Sequence, residues 1–155
     1  MSKRSLKAFM REAAKTEEIV KVPGPETMLD ENGSPIMLEV KILSNETIQD
    51  INDMCTQRVM AVDKNGKPYI ENGEVAFKKT INNRKVTGHI LAEALVYPDL
   101  KDPELMKFFN CFDISEMAAK VFPKVDEYMH VTQAVLSALG FGRDPDDGLV
   151  DTAKN

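Results

Sequence analysis

The amino-acid sequence predicts an α+β fold, mainly helical, in which one or two N-terminal antiparallel β-hairpins pack against four to five helices. Two observations predict this class: a period-two alternation of apolar side chains at residues 36–42, typical of a strand with one buried face, and later apolar stripes at helical spacing. The length of 155 residues fits one domain. Because 43% of the residues are hydrophobic and 29% are charged, a packed core is expected.

The first element is predicted to be an amphipathic helix within residues 1–22. Its apolar side chains recur at helical spacing and share one stripe. They are Leu6, Phe9, Met10, Ala13 and Ala14. The Pro23-Gly24-Pro25 sequence then removes two backbone donors and adds a flexible joint, so the helix cannot continue. The joint makes this helix semi-detached, and its stripe is free to dock on the same chain or on another one.

A β-hairpin is predicted around the Asn32-Gly33 dipeptide, because this pair readily takes the positive φ values of a tight turn. Met28 and Leu29 lead into the turn from the N-terminal side. The second arm alternates apolar with polar positions, which buries one face of a strand and leaves the other in water. Its apolar positions are Ile36, Leu38, Val40 and Ile42.

A second hairpin is predicted from two short β-prone pieces, Val59–Val62 and Tyr69–Ile70. They flank a polar stretch at residues 63–68 that is rich in turn-forming residues. The polar and locally basic run at residues 78–85 is predicted to be an exposed loop that leads into a helix.

Helices are predicted downstream from caps, prolines and apolar stripes. Their start signals are Ser44, Val86, Pro103, Asp113 (with Glu116 as a capping-box partner) and Pro123. Pro98 ends the second of these helices, and Gly140 supplies a left-handed stop for the last one. We therefore expect one α+β domain at residues 26–141, followed by a disordered acidic tail at residues 142–155.

The charge balance favours protein partners over nucleic acid or membranes. Twenty Lys and Arg residues against 25 Asp and Glu give a net charge of −5, so no global positive field attracts nucleic acid or anionic lipid. The apolar runs reach four residues, whereas a bilayer span needs about 20 and a secretory signal about 7 to 15. Cys55 and Cys111 are too few for a disulfide framework. We expect a soluble cytoplasmic protein.

Residue types that carry catalysis are few and scattered. A zinc site would need ligands that converge from four distant positions, and buried thiols with solvated or hydrogen-bonded histidines are the favoured interpretation. Those positions are Cys55, His89, Cys111 and His130. The aspartate-rich stretch at residues 144–147 lacks the ligand spacing and closing glutamate of a calcium loop. We expect no catalytic, cofactor-binding or metal-binding residue, and no enzymatic activity.

The remaining signal is a surplus of adaptable apolar side chains. Nine methionines and seven phenylalanines occur without any tryptophan, and flexible thioethers can repack against different partner surfaces. Most such residues fill a core, as we expect for Met117 and Met129. The N-terminal stripe is the candidate partner-binding surface. Its members are Leu6, Phe9, Met10 and Ala13.

The order of these features resembles the tail assembly chaperones of tailed phages and phage-like particles, specifically the XkdN-like group. The likeness runs from Leu6 to Phe141 and follows the segments LKAFM, MLDENGSPIMLEVKILS, ETIQDINDMCTQR, EALVYPDLKDPEL and VLSALGF. Its most specific pieces are Asp30, Gly33 and Pro35 in the turn, Cys55, and the Tyr97–Leu100 corner. The KKTINNRKV stretch and the aspartate-rich end depart from the pattern.

The resemblance implies a non-enzymatic protein that acts in the host cytoplasm while a phage or prophage particle is being built. In that family the chaperone associates with the tape-measure protein, a very long helical chain whose apolar faces stay exposed until tail tube protein subunits surround it. A structural tail component that is retained in the finished particle is the alternative. Self-association of the chain remains open.

Overall fold

The computed structural model describes residues 4–10 and 18–142, and in these residues the predicted α+β class is confirmed. The helices are α1 (Asn45–Met54), α2 (Asn83–Ala94), α3 (Pro103–Phe108), α4 (Ile114–Val121) and α5 (Val125–Ala138). The strands are β1 (Ile19–Pro23), β2 (Met37–Lys41), β3 (Thr56–Met60), β4 (Ile70–Glu71), β5 (Glu74–Val75), β6 (Phe77–Ile81) and β7 (Leu95–Tyr97). Within the described ranges, every helix is too short or too polar to cross a membrane.

The strand predicted from the period-two alternation forms the centre of a three-stranded antiparallel sheet. Strand β2 lies between β1 and β7 in this sheet. Leu38 and Val40 of β2 are buried, because alternate side chains of a strand point to the same face. The predicted alternation at this strand is therefore confirmed, and its inward face supplies part of the main core.

The main core forms where α2, α4 and α5 pack beside the sheet. Its largest fully buried side chains are Leu91, Leu100, Met117, Phe122, Val131 and Val135. A second, smaller cluster joins α1 to α2 through Ile48, Ile51, Cys55 and Ile90. Leu43 and Leu139 contact both clusters, so the two cores are continuous. Cys55 is buried, as expected for a small apolar residue.

The partner of β2 differs from the one that the sequence predicted. Met28 and Leu29 do not form the first arm; β1 pairs with β2 instead, and Leu29 makes an isolated bridge with Pro35 around the tight turn. The predicted helical segment 1–22 is wrong at its C-terminal end, because Ile19–Pro23 is a strand. Val20 and Val22 lie on the same face of the strand and are half-buried, and Val22 packs against the core.

The second hairpin has a different partner strand from the predicted one. Strand β3 pairs with β6, from which 16 residues separate it, while Ile70 pairs with Val75 in the short pair β4–β5 at the tip. The predicted pieces 59–62 and 69–70 meet through the Tyr69 N–H, which donates to the Ala61 carbonyl at 2.8 Å. The run at residues 78–85, predicted as a loop, is half strand, since β6 extends to Ile81. We call residues 56–81 the ribbon. The Asn82 N–H donates to the Cys55 carbonyl at 3.1 Å and closes the base of the ribbon beside the core.

Several helix boundaries that the sequence predicted are confirmed. The Ser44 hydroxyl accepts from the Thr47 N–H at 3.1 Å, and Pro103 occupies the first turn of α3. Gly140 has a φ of 97° directly after α5. Helix α2 begins at Asn83, three residues before the predicted start, and ends at Ala94, because Leu95–Tyr97 leaves the helix to pair with β2.

Helices α2 and α4 approach each other at Gly88. A methyl group on this residue would collide with the Ser115 carbonyl group, whose carbon would lie 2.8 Å from the added Cβ. That neighbour is backbone and cannot rotate away. Glycine in a helix costs about 1 kcal/mol in propensity relative to alanine, so packing rather than helix formation explains the residue.

Replacing Gly88 by alanine should destabilise the fold. We expect Gly88→Ala to lower the free energy of unfolding by about 3 kcal/mol, the upper end of the range for overpacking, because α2 and α4 must separate. Denaturant unfolding followed by circular dichroism measures the change. Arg84→Ala, at an exposed position of the same helix, is the control. Equal stability of the two variants would contradict the close approach.

Asp113 should stabilise the start of α4 in a pH-dependent way. The Ser115 hydroxyl donates to its carboxylate at 2.6 Å and the Ser115 N–H at 2.9 Å, and these bonds hold the pKa of Asp113 below its ordinary value. We expect Asp113→Ala to lower the free energy of unfolding by about 1 kcal/mol at neutral pH.

The pH dependence follows from the depressed pKa of Asp113. The contribution of the carboxylate is present above the unfolded-state pKa of about 3.9 and is lost as the pH falls through the lower folded-state value. The difference between wild type and Asp113→Ala should therefore shrink in acid. A difference that is constant down to acid pH would show that the carboxylate charge is irrelevant.

Candidate partner-binding surfaces

The predicted partner-binding residues of the N-terminal segment are exposed. Leu6, Phe9 and Met10 are 59%, 82% and 71% exposed. The described residues 4–10 hold one 3-10 turn, in which the Met10 N–H donates to the Lys7 carbonyl at 3.2 Å. Ala13 lies outside the described residues, as do residues 11–17 of the predicted helix. Three large apolar side chains thus face solvent within five positions of the chain.

A second apolar surface runs along α5 and is called the α5 groove. It encloses about 460 Å³ and is lined by Tyr128, Met129, Thr132, Gln133, Leu136, Ser137, Phe141 and Gly142. Met129 is 64% exposed in this groove, so the prediction that it fills the core is wrong, while Met117 is fully buried as predicted. The Thr132 Oγ1 atom is buried and has no hydrogen-bond partner. The groove therefore combines exposed apolar side chains with an unsatisfied hydroxyl.

A third surface, the acidic groove, lies where β7 leads into α3. It encloses about 440 Å³ and is lined by Val96, Tyr97, Pro98, Asp99, Asp102, Glu104, Leu105 and Phe108. Tyr97 and Phe108 are 52% and 79% exposed. Asp102 is partly engaged, because its carboxylate accepts the N–H groups of Glu104 and Leu105 at the start of α3. Apolar side chains and three carboxylates share this groove, which contains no basic side chain.

The ribbon presents a fourth surface. Met60, Phe77 and Ile81 share one face of the β3–β6 pair, and Ile70 lies opposite Val75 in the separate β4–β5 pair at the tip. These five side chains and that of Val62 are each more than 40% exposed. The Arg58 guanidinium lies over the Phe77 ring at 4.3 Å on this face. Lys79 is directly opposite Arg58 in the register, so two cations accompany the apolar stripe.

Sequence reasoning missed the last three surfaces. The ribbon face could have been found from the alternation of Arg58, Met60 and Val62, had the pairing of β3 with β6 been known. For the acidic groove, the available signal was the group of carboxylates that follows Tyr97. The Tyr97–Leu100 corner, which carries part of the family resemblance, leads from β7 towards α3. Leu100 is fully buried and serves packing, while Tyr97 remains half exposed.

The residues that could carry chemistry lie apart from one another. Cys55 and Cys111 are free, buried and in different core clusters. The His130 imidazole Nε2 lies 3.0 Å from the Pro23 carbonyl oxygen, to which it donates, and so joins α5 to β1. In the part of the chain that the structure describes, no three His, Cys, Asp or Glu side chains are placed to hold a metal ion. The aspartates at residues 144–147 lie outside that part.

Comparison with known proteins gives consistent matches over most of the chain. The chain is 26% identical over 150 residues to the phage-like element PBSX protein XkdN of Bacillus subtilis (strain 168), covering 97% of this chain and 93% of XkdN. It is 27% identical to YqbN of the same organism, with the same coverage. The crystal structure of YqbN shares the fold, with a TM-score of 0.65 at 19% identity over 90% of this chain and 99% of YqbN.

A family model covers almost the same span of sequence. The model for the phage XkdN-like tail assembly chaperone protein matches residues 6–154, which include the N-terminal segment, the ribbon and both grooves. The resemblance seen in the sequence motifs is thereby confirmed. This chain belongs to the XkdN-like family of phage tail assembly chaperones.

Proposed function

We propose that this protein binds the tape-measure protein of its particle and keeps that chain soluble until tail tube subunits assemble around it. The observation that carries the proposal is the exposure of Leu6, Phe9 and Met10, which have no role in the core of the described domain. Membership of a tail assembly chaperone family supports a role in assembly. The binding takes place in the host cytoplasm and involves no enzymatic step.

The exposed apolar surfaces suit a helical partner. A long amphipathic helix can bury its apolar stripe in a groove of matching length. The α5 groove runs from Tyr128 to Phe141, which corresponds to roughly 20 Å at 1.5 Å per residue, or about four helical turns of a partner. Met10 and Met129 supply flexible side chains that adapt to different partner sequences. The N-terminal segment, with Ala13 as its further member, contributes a second apolar contact.

The net charge supports the solubilising role. A complex that carries the −5 charge of this chain on its exterior is kept from aggregating by repulsion between copies. Tube subunits then displace the chaperone, because they cover the same apolar faces of the tape-measure helix over a longer length. The protein is therefore absent from finished particles, whereas a structural tail component would be present there in stoichiometric amount, and mass spectrometry of purified particles separates the two.

Coexpression should reveal the solubilising activity. We expect the tape-measure protein to move from the insoluble to the soluble fraction when this chain is produced with it, and the two proteins to copurify. An unrelated acidic protein of similar size serves as the control for general expression effects. If the tape-measure protein aggregates to the same extent with either companion, the proposed function is wrong.

A charge within the N-terminal segment should weaken the complex. We expect Phe9→Asp to raise the Kd for the tape-measure protein by about tenfold to a hundredfold, because a buried phenylalanine contributes about 1.5 to 3 kcal/mol and the aspartate must lose its hydration on docking. Isothermal titration calorimetry measures the change. Ser5→Asp adds the same charge at an exposed polar neighbour and should bind almost as wild type does. Equal Kd values for both variants would remove Phe9 from the interface.

A further inference from the structure

We propose that the ribbon of one copy docks into the acidic groove of a second copy, so that this protein self-associates head to tail. The inference is independent of the tape-measure protein. It rests on two surfaces of the same chain that are exposed, apolar and opposite in charge.

The exposed side chains and open strand edges of the ribbon are typical of a protein–protein interface. A two-stranded antiparallel hairpin is marginally stable in water by itself, and among residues 4–10 and 18–142 no strand lies beside either outer edge of the β3–β6 pair. Six of its apolar side chains are each more than 40% exposed, including Phe77 at 51% and Ile70 at 65%. Contiguous exposed apolar surface of this kind is typical of a protein–protein contact.

The basic character of the ribbon determines the chemistry of the surface on which it docks. Residues 56–81 carry five Lys and Arg against three Asp and Glu, a net charge of +2. Subtracting these from the totals of 20 and 25 leaves 15 basic and 22 acidic residues, so the rest of the chain carries −7. Arg58 and Lys79 lie on the apolar face, where a partner would meet them. The docking surface on the second molecule must therefore be apolar and acidic.

The acidic groove meets both requirements. Its apolar lining includes Tyr97 and Phe108, both more than half exposed, and its carboxylates are those of Asp99, Asp102 and Glu104. The ammonium of the nearby Lys101 pairs with Glu93 at 3.1 Å, and Glu93 does not line the groove. Docking would place cations opposite carboxylates and bury aromatic side chains from both molecules, the combination that gives an interface both orientation and stability.

The topology separates the two surfaces within one molecule. The ribbon ends where α2 begins, and the acidic groove begins directly after α2 ends. The twelve residues of α2 hold these points roughly 18 Å apart. Every residue of the ribbon from Val62 to Val75 is exposed, so the ribbon does not fold back on its own domain. The occupant of each groove is consequently the ribbon of a different copy, and such head-to-tail contacts form a ring or a chain.

Sedimentation velocity of the purified full chain tests the proposal. We expect the weight-average mass to rise with protein concentration at low salt and to fall at high salt, because the contact includes exposed charges that salt screens. Lys79→Glu on the ribbon and Glu104→Lys in the groove should each reduce the association constant at least tenfold. A 1:1 mixture of the two variants should restore association, since the unchanged ribbon of Glu104→Lys then meets the unchanged groove of Lys79→Glu, and the two reversed charges also face each other.

Two matched controls separate this contact from a general effect of charge. Lys78→Glu changes the neighbouring residue on the opposite face of β6, and Glu46→Lys changes an exposed acidic residue in the first turn of α1. Both should associate as wild type does, and circular dichroism should show that all four variants fold. A monomer at every concentration, equal effects of Lys79→Glu and Lys78→Glu, or no recovery in the mixture would each overturn the proposal, and none of these results decides whether a single copy binds the tape-measure protein.

Discussion

The close approach of α2 to α4 at Gly88 is the constraint on which the rest of the structure depends. Because a side chain at this position would meet the Ser115 carbonyl, the two helices can pack backbone to backbone only with glycine there. Their contact buries Leu91 and Met117 completely. It also fixes the direction of α2, whose C-terminal end then delivers Leu95 to the sheet beside Val40.

Helix α2 thereby determines where the two oppositely charged surfaces of the molecule lie. Its first residue follows the basic ribbon, and its last residue precedes the acidic groove. The overall charge of −5 hides this division, because it averages a positive ribbon with a more negative domain. Net charge disfavours a global attraction of the whole chain to nucleic acid, but it does not report local complementarity between two parts of one chain.

Sequence reasoning succeeded where the signal is local. The Ser44 cap, the alternation that buries Leu38 and Val40, and the left-handed Gly140 each depend on a few neighbouring residues. It failed where the paired strands are distant in the sequence, as β3 and β6 are, because the tip of the ribbon lies between them. It also failed at β7, because this short apolar run could equally belong to a buried helix, and only its pairing with β2 identifies it as a strand. The sequence also could not predict which apolar side chains are exposed. Met117 and Met129 both lie on apolar helix stripes, and only the packing of the helices decides that Met117 is buried and Met129 exposed.

The two proposed contacts use different surfaces, so several self-associated copies can bind one very long partner at the same time. Tape-measure binding uses the N-terminal segment and the α5 groove, whereas self-association uses the ribbon and the acidic groove. Copies that are joined head to tail would present their α5 grooves repeatedly along one helical chain. Each bound copy then raises the effective concentration of the next one, so a modest affinity per groove becomes a large affinity for the array. Because the joining contact relies on exposed charges, the array can still come apart one copy at a time as tube subunits arrive.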